Sequence, residues 1–85
     1  MPTLVSAGNV LVPAYLALVE KGYRVKRLKS AKRHEPEQWC ATKGASRFVA
    51  DDTLSLLGLV AMHEVRGKAW KASDKEIDSF FDQFP

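Results

Sequence analysis

The segment QWCATKGASRFVADD, residues 38–52, decides the fold of this 85-residue chain. It carries two short strand-like runs on either side of the tetrad Lys43-Gly44-Ala45-Ser46, in which glycine can adopt the positive φ of a tight turn. We therefore predict two antiparallel strands, Gln38–Lys43 and Arg47–Ala50, joined by a hairpin turn.

A third strand is predicted upstream, because Tyr23–Leu28 alternates apolar side chains with Arg24 and Lys26. Such alternation is typical of a strand with one face toward the core and one toward solvent. The three strands then form an antiparallel meander. The six residues expected to face its core are Tyr23, Val25, Trp39, Ala41, Phe48 and Ala50.

Three helices are predicted around this sheet. They run from Asn9 or Val12 to Lys21, from a cap at Asp51 or Asp52 to about Arg66, and onward from Ser73. Gly22 and Gly67 follow the first two helices, where a glycine C-cap is common, and Ser73 with Glu76 forms a capping-box pattern. We expect one small α+β domain, residues 1–85, with the order α-β-β-β-α-α and helices packed on one face of the sheet.

The second predicted helix is apolar on nearly all sides between Leu54 and Val65, which is typical of a helix buried on more than one side. Gly58 lies in its middle, at a cost of about 1 kcal/mol relative to alanine. We expect a close approach of the sheet or of a neighbouring helix at Gly58.

Two apolar features near the C-terminus each allow two interpretations. The last helix has an apolar face of Ile77, Phe80, Phe81 and Phe84. We expect this face to pack on its own domain; packing on a second copy is the alternative, so the chain is a monomer or a weak homodimer. Trp70 either packs between the last two helices or is a partly exposed contact residue, a role in which tryptophan is enriched.

Composition and cysteine count exclude several classes of protein. Hydrophobic residues make up 46 % and charged residues 27 % of the chain, which is typical of a globular domain and not of a disordered one. The single cysteine, Cys40, excludes a disulfide scaffold and a cysteine-rich zinc module. The uncharged N-terminal stretch lacks the positive start of a signal peptide and is interrupted by Pro2, Gly8 and Pro13. We expect a cytoplasmic protein without membrane association.

Residues that could support catalysis or metal binding are few. Cys40 and His63 could in principle pair as nucleophile and base, but no local feature of an activated thiol surrounds Cys40. His34, Cys40 and His63 are too widely spaced for a typical zinc site. The acids at positions 51, 52, 74 and 76 lie at predicted helix N-termini, where carboxylates act as caps. We expect no catalytic residue, no metal and no cofactor.

The charge is distributed unevenly along the chain. The overall net charge is +3, whereas residues 1–34 carry +6 and residues 35–85 carry −3. Arg24, Lys26 and Arg47 are expected on the outward face of the sheet, and the basic loop 29–34 extends that area. The predicted partner-binding residues are Arg24, Lys26, Lys29, Lys32, Arg33, Arg47 and Trp70.

Three interpretations suit this basic area. An acidic protein partner would be steered and oriented by it. A nucleic acid would bind through its phosphates, in a manner that depends strongly on salt. The third interpretation is a solvated strand face that keeps the sheet soluble. We expect a non-enzymatic domain that binds an acidic protein, with nucleic-acid binding as the alternative.

Two resemblances bear on these interpretations. The α-β-β-β-α order over residues 10–66 looks like that of double-stranded-RNA-binding domains. Those domains carry a lysine cluster at the start of their last helix, where this chain has Asp51-Asp52, so the resemblance argues little for RNA binding.

The second resemblance involves QWCAT at residues 38–42, RFVAD at 47–51 and LLGL at 56–59. This stretch, residues 38–59, resembles small uncharacterised bacterial α+β proteins, including immunity-type proteins. The resemblance implies a compact binder that inhibits a partner protein, and it assigns no functional residue.

Overall fold

The computed structural model describes residues 2–6, 8–29 and 37–85. Its elements are helix α1 (Leu11–Glu20), strands β1 (Arg24–Leu28), β2 (Gln38–Lys43) and β3 (Ser46–Ala50), helix α2 (Thr53–Arg66), a 3₁₀ turn (Gly67–Ala69) and helix α3 (Asp74–Gln83). The predicted order α-β-β-β-α-α and the small α+β fold class are therefore confirmed, and the element bounds differ from the predicted ones by at most two residues.

The sheet is an antiparallel meander in the order β1-β2-β3. Ala41 at its centre pairs with Val25 of β1 and with Phe48 of β3. Gly44, with φ of 59°, opens the two-residue turn between β2 and β3, as a type II′ hairpin requires of its first turn residue. The predicted hairpin is thus confirmed, and it leaves β1 and β3 as the two edges.

The core lies between one face of the sheet and helices α1 and α2. Leu18 of α1, Ala41 of β2, and Leu56 and Val60 of α2 are fully buried together. The sheet residues packed around them are Tyr23, Val25, Trp39, Phe48 and Ala50, which confirms the predicted core-facing set. The opposite face of the sheet carries no helix among the described residues.

Helix α1 is followed by a glycine at its C-terminal end, and a buried threonine hydroxyl forms a hydrogen bond between the starts of α1 and α2. Gly22 has φ of 92°, and the backbone N–H groups of Gly22 and Tyr23 donate to the carbonyl oxygens of Val19 and Leu18, in the double pattern of a Schellman motif. The buried Thr53 donates its hydroxyl hydrogen to the carbonyl oxygen of Leu11 at 2.5 Å. This bond fixes the start of α1 against the start of α2.

The expectation of a close approach at Gly58 is wrong. A methyl group placed on Gly58 would meet no atom within 4 Å, so the glycine is not needed for packing. The helix is instead oriented by the burial of Leu56 and Val60, and a side chain at position 58 would point into open space.

Helix α3 begins as predicted but does not pack as predicted. Ser73 and Glu76 form both hydrogen bonds of the capping box. None of the residues of α3 is buried, and Ile77, Phe80, Phe81 and Phe84 are 41–61 % exposed, so the expected packing on the same domain is wrong. The physical reason is that α1 and α2 already cover the one apolar face of the sheet and leave no site for a third helix.

None of the helices in the described part of the chain combines the length and the apolar character needed to cross a bilayer.

Candidate partner-binding surface

The helix-free face of the sheet, here called the outer face, is defined by the strand register. One row across the strands contains Arg24, Thr42 and Arg47, and the next contains Lys26, Cys40 and Val49. Side chains that are directly opposite on neighbouring strands point to the same side of a sheet. The described outer face is formed by Arg24, Lys26, Leu28, Gln38, Cys40, Thr42, Arg47 and Val49.

The outer face is basic and carries no acidic side chain on its three strands. Arg24, Lys26 and Arg47 are exposed there, so the structure brings together three of the predicted partner-binding residues. Lys29 follows β1 and is also exposed. The predicted residues Lys32 and Arg33 lie outside the described residues.

Two acidic residues close to β2 in sequence could have interrupted this surface. Glu37 reaches Arg27, with 3.8 Å between Oε2 and Nη1. Arg27 pairs with Trp39, so this ion pair belongs to the helix-covered side and leaves the outer face basic. Glu35 lies outside the described residues.

Cys40 occupies the middle of the outer face and is nevertheless buried. Its neighbours across the strands are Lys26 and Val49, whose longer side chains flank it. His63 stacks edge-on against Phe48, with ring centroids 5.4 Å apart, on the helix side of the sheet. The sheet therefore separates Cys40 from His63, and the two do not form a nucleophile–base pair.

An open groove of about 360 Å³ runs beside the free edge of β3, here called the β3 groove. Its lining residues are Ser46, Arg47, Phe48, Val49, Leu59, His63 and Trp70. The groove thus joins Arg47 and Trp70, two predicted partner-binding residues that are far apart in sequence. Trp70 is half-buried. The other residues that line the groove belong to β3 and α2, and none belongs to α3.

A set of contacts to charged groups fixes the position of Trp70. Arg66 donates from Nε to the carbonyl oxygen of Trp70 at 3.0 Å, and from Nη2 to both carboxylate oxygens of Glu76, also at 3.0 Å. The ammonium group of Lys71 lies 5.8 Å from the centre of the indole ring, within the range of a cation–π contact. The tryptophan that lines the groove is therefore held through its backbone carbonyl by Arg66 and contacts the Lys71 cation through its ring.

Sequence reasoning did not identify Leu59, His63 and Val49 as lining residues of a site. The sequence indicates His63 only as a candidate for metal binding or catalysis and Leu59 only as part of a buried helix, and it assigns Val49 no role. The available signal was the apolar run Phe48-Val49-Ala50 in a strand that ends the meander, because an edge strand with few charges is open to pairing with another chain.

In the described ranges, the two carboxyl groups with a lowered pKa, those of Asp52 and Glu76, lie at the starts of α2 and α3. The backbone N–H of Ser55, donating to Asp52 at 2.6 Å, lowers the pKa of that carboxyl. The backbone N–H of Ser73 and the guanidinium of Arg66 lower the pKa of Glu76. Within the described ranges, no group of three His, Cys, Asp or Glu side chains is arranged to hold a metal ion.

Comparisons of the chain with protein-family models, curated proteins and solved structures found no match.

Proposed function

We propose that this chain is a small non-enzymatic protein-binding domain, of an inhibitor or immunity type, whose basic outer face engages an acidic protein partner. The observation that carries the proposal is the placement of Arg24, Lys26 and Arg47 together on the helix-free side of the sheet, where no strand residue is acidic.

The charge layout supports a directed interaction. Complementary charges steer a partner and fix its orientation more than they add affinity. The outer face is positive, whereas α3 contains Asp74, Glu76, Asp78 and Asp82 with Lys75 as its one cation. A partner with an acidic surface is therefore attracted to the sheet side and repelled from the α3 side.

The geometry supports a protein more than a nucleic acid as partner. A nucleic-acid interface needs several cations along the phosphate backbone, whereas the middle row of the outer face is Lys26, buried Cys40 and Val49. A mixed apolar and cationic surface is typical of the central part of a protein interface. Nucleic-acid binding through the same face is the competing proposal, and the experiment below separates the two.

The test compares two single charge reversals in an affinity capture from the source cells. Lys26→Glu places an acid at the centre of the outer face, whereas Lys75→Glu makes the same change of charge on the exposed side of α3. Captured proteins are quantified by mass spectrometry with and without nuclease treatment. Thermal unfolding is the control that checks whether both variants are folded.

We expect the wild type and Lys75→Glu to retain the same acidic protein after nuclease treatment, and Lys26→Glu to lose it. Equal capture by the two variants would overturn the proposal. If the wild type captures nucleic acid but no protein, and Lys26→Glu loses that nucleic acid, the proposal is replaced by nucleic-acid binding.

A further inference from the structure

Among the described residues, the backbone groups along the free edge of β3, beside the β3 groove, have no backbone partner. Because Gly44 and Ala45 form a two-residue turn, Lys43 and Ser46 are the hydrogen-bonded pair that closes it. Hydrogen-bonded and non-hydrogen-bonded pairs alternate along an antiparallel ladder. Arg47 and Val49 therefore direct their backbone N–H and C=O groups away from β2. In the part of the chain that the structure describes, no backbone hydrogen bond outside the helices and the ladders involves β3.

The two edges of the sheet differ in their protection. Strand β1 carries Arg24, Lys26 and Arg27 among its five residues, and such charges discourage pairing with another strand. Strand β3 has Arg47 as its one charged residue, followed by Phe48 and Val49. The edge that is open to pairing is therefore the edge of β3.

The groove beside β3 would receive alternate side chains of an added strand. A residue opposite Phe48 would point to the helix side, where Phe48, His63 and Trp70 line the β3 groove. Residues opposite Arg47 and Val49 would point to the outer face, beside the Arg47 guanidinium. An acidic side chain at those positions would complement Arg47, and an apolar one would suit the groove.

We propose that an extended segment with alternating acidic and apolar side chains adds to the free edge of β3 as a fourth strand. This inference rests on the proposed function and names the part of the acidic partner that binds. Strand addition of this kind gives affinity through backbone bonds and specificity through alternate side-chain pockets. A second copy of this chain is a poorer occupant, because its β3 carries no acid to pair with Arg47.

The probe is a synthetic peptide, acetyl-Asp-Val-Glu-Leu-Asp-Val-Glu-amide, added to the full ¹⁵N-labelled protein. Binding is followed by amide chemical shifts and by hydrogen exchange at Arg47 and Val49. Two further peptides each carry two backbone N-methyl groups. In the first they are on the Glu and Asp at the third and fifth positions, and in the second they are on the Val and Leu at the second and fourth positions. When the peptide lies antiparallel to β3, the first loses the N–H groups that would face β3, and the second loses only N–H groups that face solvent.

We expect the parent peptide to slow hydrogen exchange of the Arg47 and Val49 amides and to bind about tenfold more tightly than the peptide methylated on its acids, since two hydrogen bonds are lost. Methylation between the acids should change affinity by less than about twofold, and Arg47→Glu should weaken binding about tenfold.

Three results would overturn strand addition. The first is equal binding of the two methylated peptides, and the second is no binding at 1 mM peptide. The third is protection of Arg47 and Val49 that grows with protein concentration in the absence of peptide, which would make a second copy the occupant. The proposed function fails by a different result, the equal capture by Lys26→Glu and Lys75→Glu, so the two failures are distinguishable.

Discussion

The guanidinium group of Arg66 holds both carboxylate oxygens of Glu76 at 3.0 Å while its Nε donates to the carbonyl oxygen of Trp70. One side chain at the end of α2 therefore orients the start of α3 and fixes a wall of the β3 groove. Because α3 buries none of its residues, this ion pair is its principal attachment to α2 within the described part of the chain.

The first prediction concerns the pH dependence of α3. The pKa of Glu76 is lowered by the backbone N–H of Ser73 and by Arg66. Because this pKa is lowered on folding, the Glu76 carboxylate stabilises the folded state fully at a pH above the ordinary glutamate pKa, about 4.3. The stabilisation is lost as the pH falls through the lower pKa of the folded state. We expect the helical ¹³Cα shifts of α3, followed at Ile77, to decline below about pH 4 before the core unfolds. Glu76→Gln should remove most of this dependence, and an unchanged profile in Glu76→Gln would contradict the assignment.

The second prediction concerns Gly58. Since nothing lies within 4 Å of a methyl group at this position, Gly58→Ala should raise the free energy of unfolding by about 0.5–1 kcal/mol. Gly22→Ala is the matched control: with φ of 92° at position 22, it should lower that free energy by about 1–2 kcal/mol. Urea unfolding measures both, and destabilisation by Gly58→Ala would contradict the open space described at this position.

The third prediction concerns the core. Leu56 is fully buried between α1 and the sheet, whereas Leu54 on the same helix is 47 % exposed. Leu56→Ala should lower the free energy of unfolding by about 2–5 kcal/mol, a large part of the total for so small a domain. Leu54→Ala should cost less than about 1 kcal/mol. Similar losses in the two variants, measured by thermal and urea unfolding, would refute the described core.

The fourth prediction concerns the bond between the two packed helices. Thr53→Val keeps the volume of the buried side chain but removes the hydroxyl that donates to the carbonyl oxygen of Leu11. We expect a loss of about 1–3 kcal/mol of unfolding free energy. Thr53→Ser keeps the hydroxyl group and should lose less, and the reverse ranking of the two variants would contradict the role of this bond.

Local patterns were sufficient to predict the elements of this fold. Each element depends on a pattern that spans only a few residues, such as the period-two alternation of β1, the Gly44 turn and the cap at Asp52. The strands and helices can therefore be predicted from the sequence. The register then places Arg24, Lys26 and Arg47 on one face, as alternation predicts, because a strand leaves each side chain only two directions.

Features that depend on distant packing were not predictable in the same way. The apolar face of α3, with Phe80 and Phe81, gives the same sequence pattern whether it is buried or exposed, and its exposure follows from the space already taken by α1 and α2. The joining of Arg47 and Trp70 in one groove depends on where the 3₁₀ turn places the tryptophan relative to β3. No spacing in the sequence encodes that distance.

Site-specific photo-crosslinking in the source cells tests most directly the claim that the outer face meets an acidic protein. A benzophenone amino acid is placed at Gln38 on the outer face or, as control, at Met62, which is exposed on α2. We predict a crosslinked acidic protein from position 38 that survives nuclease and is absent from position 62. Crosslinks to protein from position 62 alone, or a nuclease-sensitive adduct from position 38, would contradict the account.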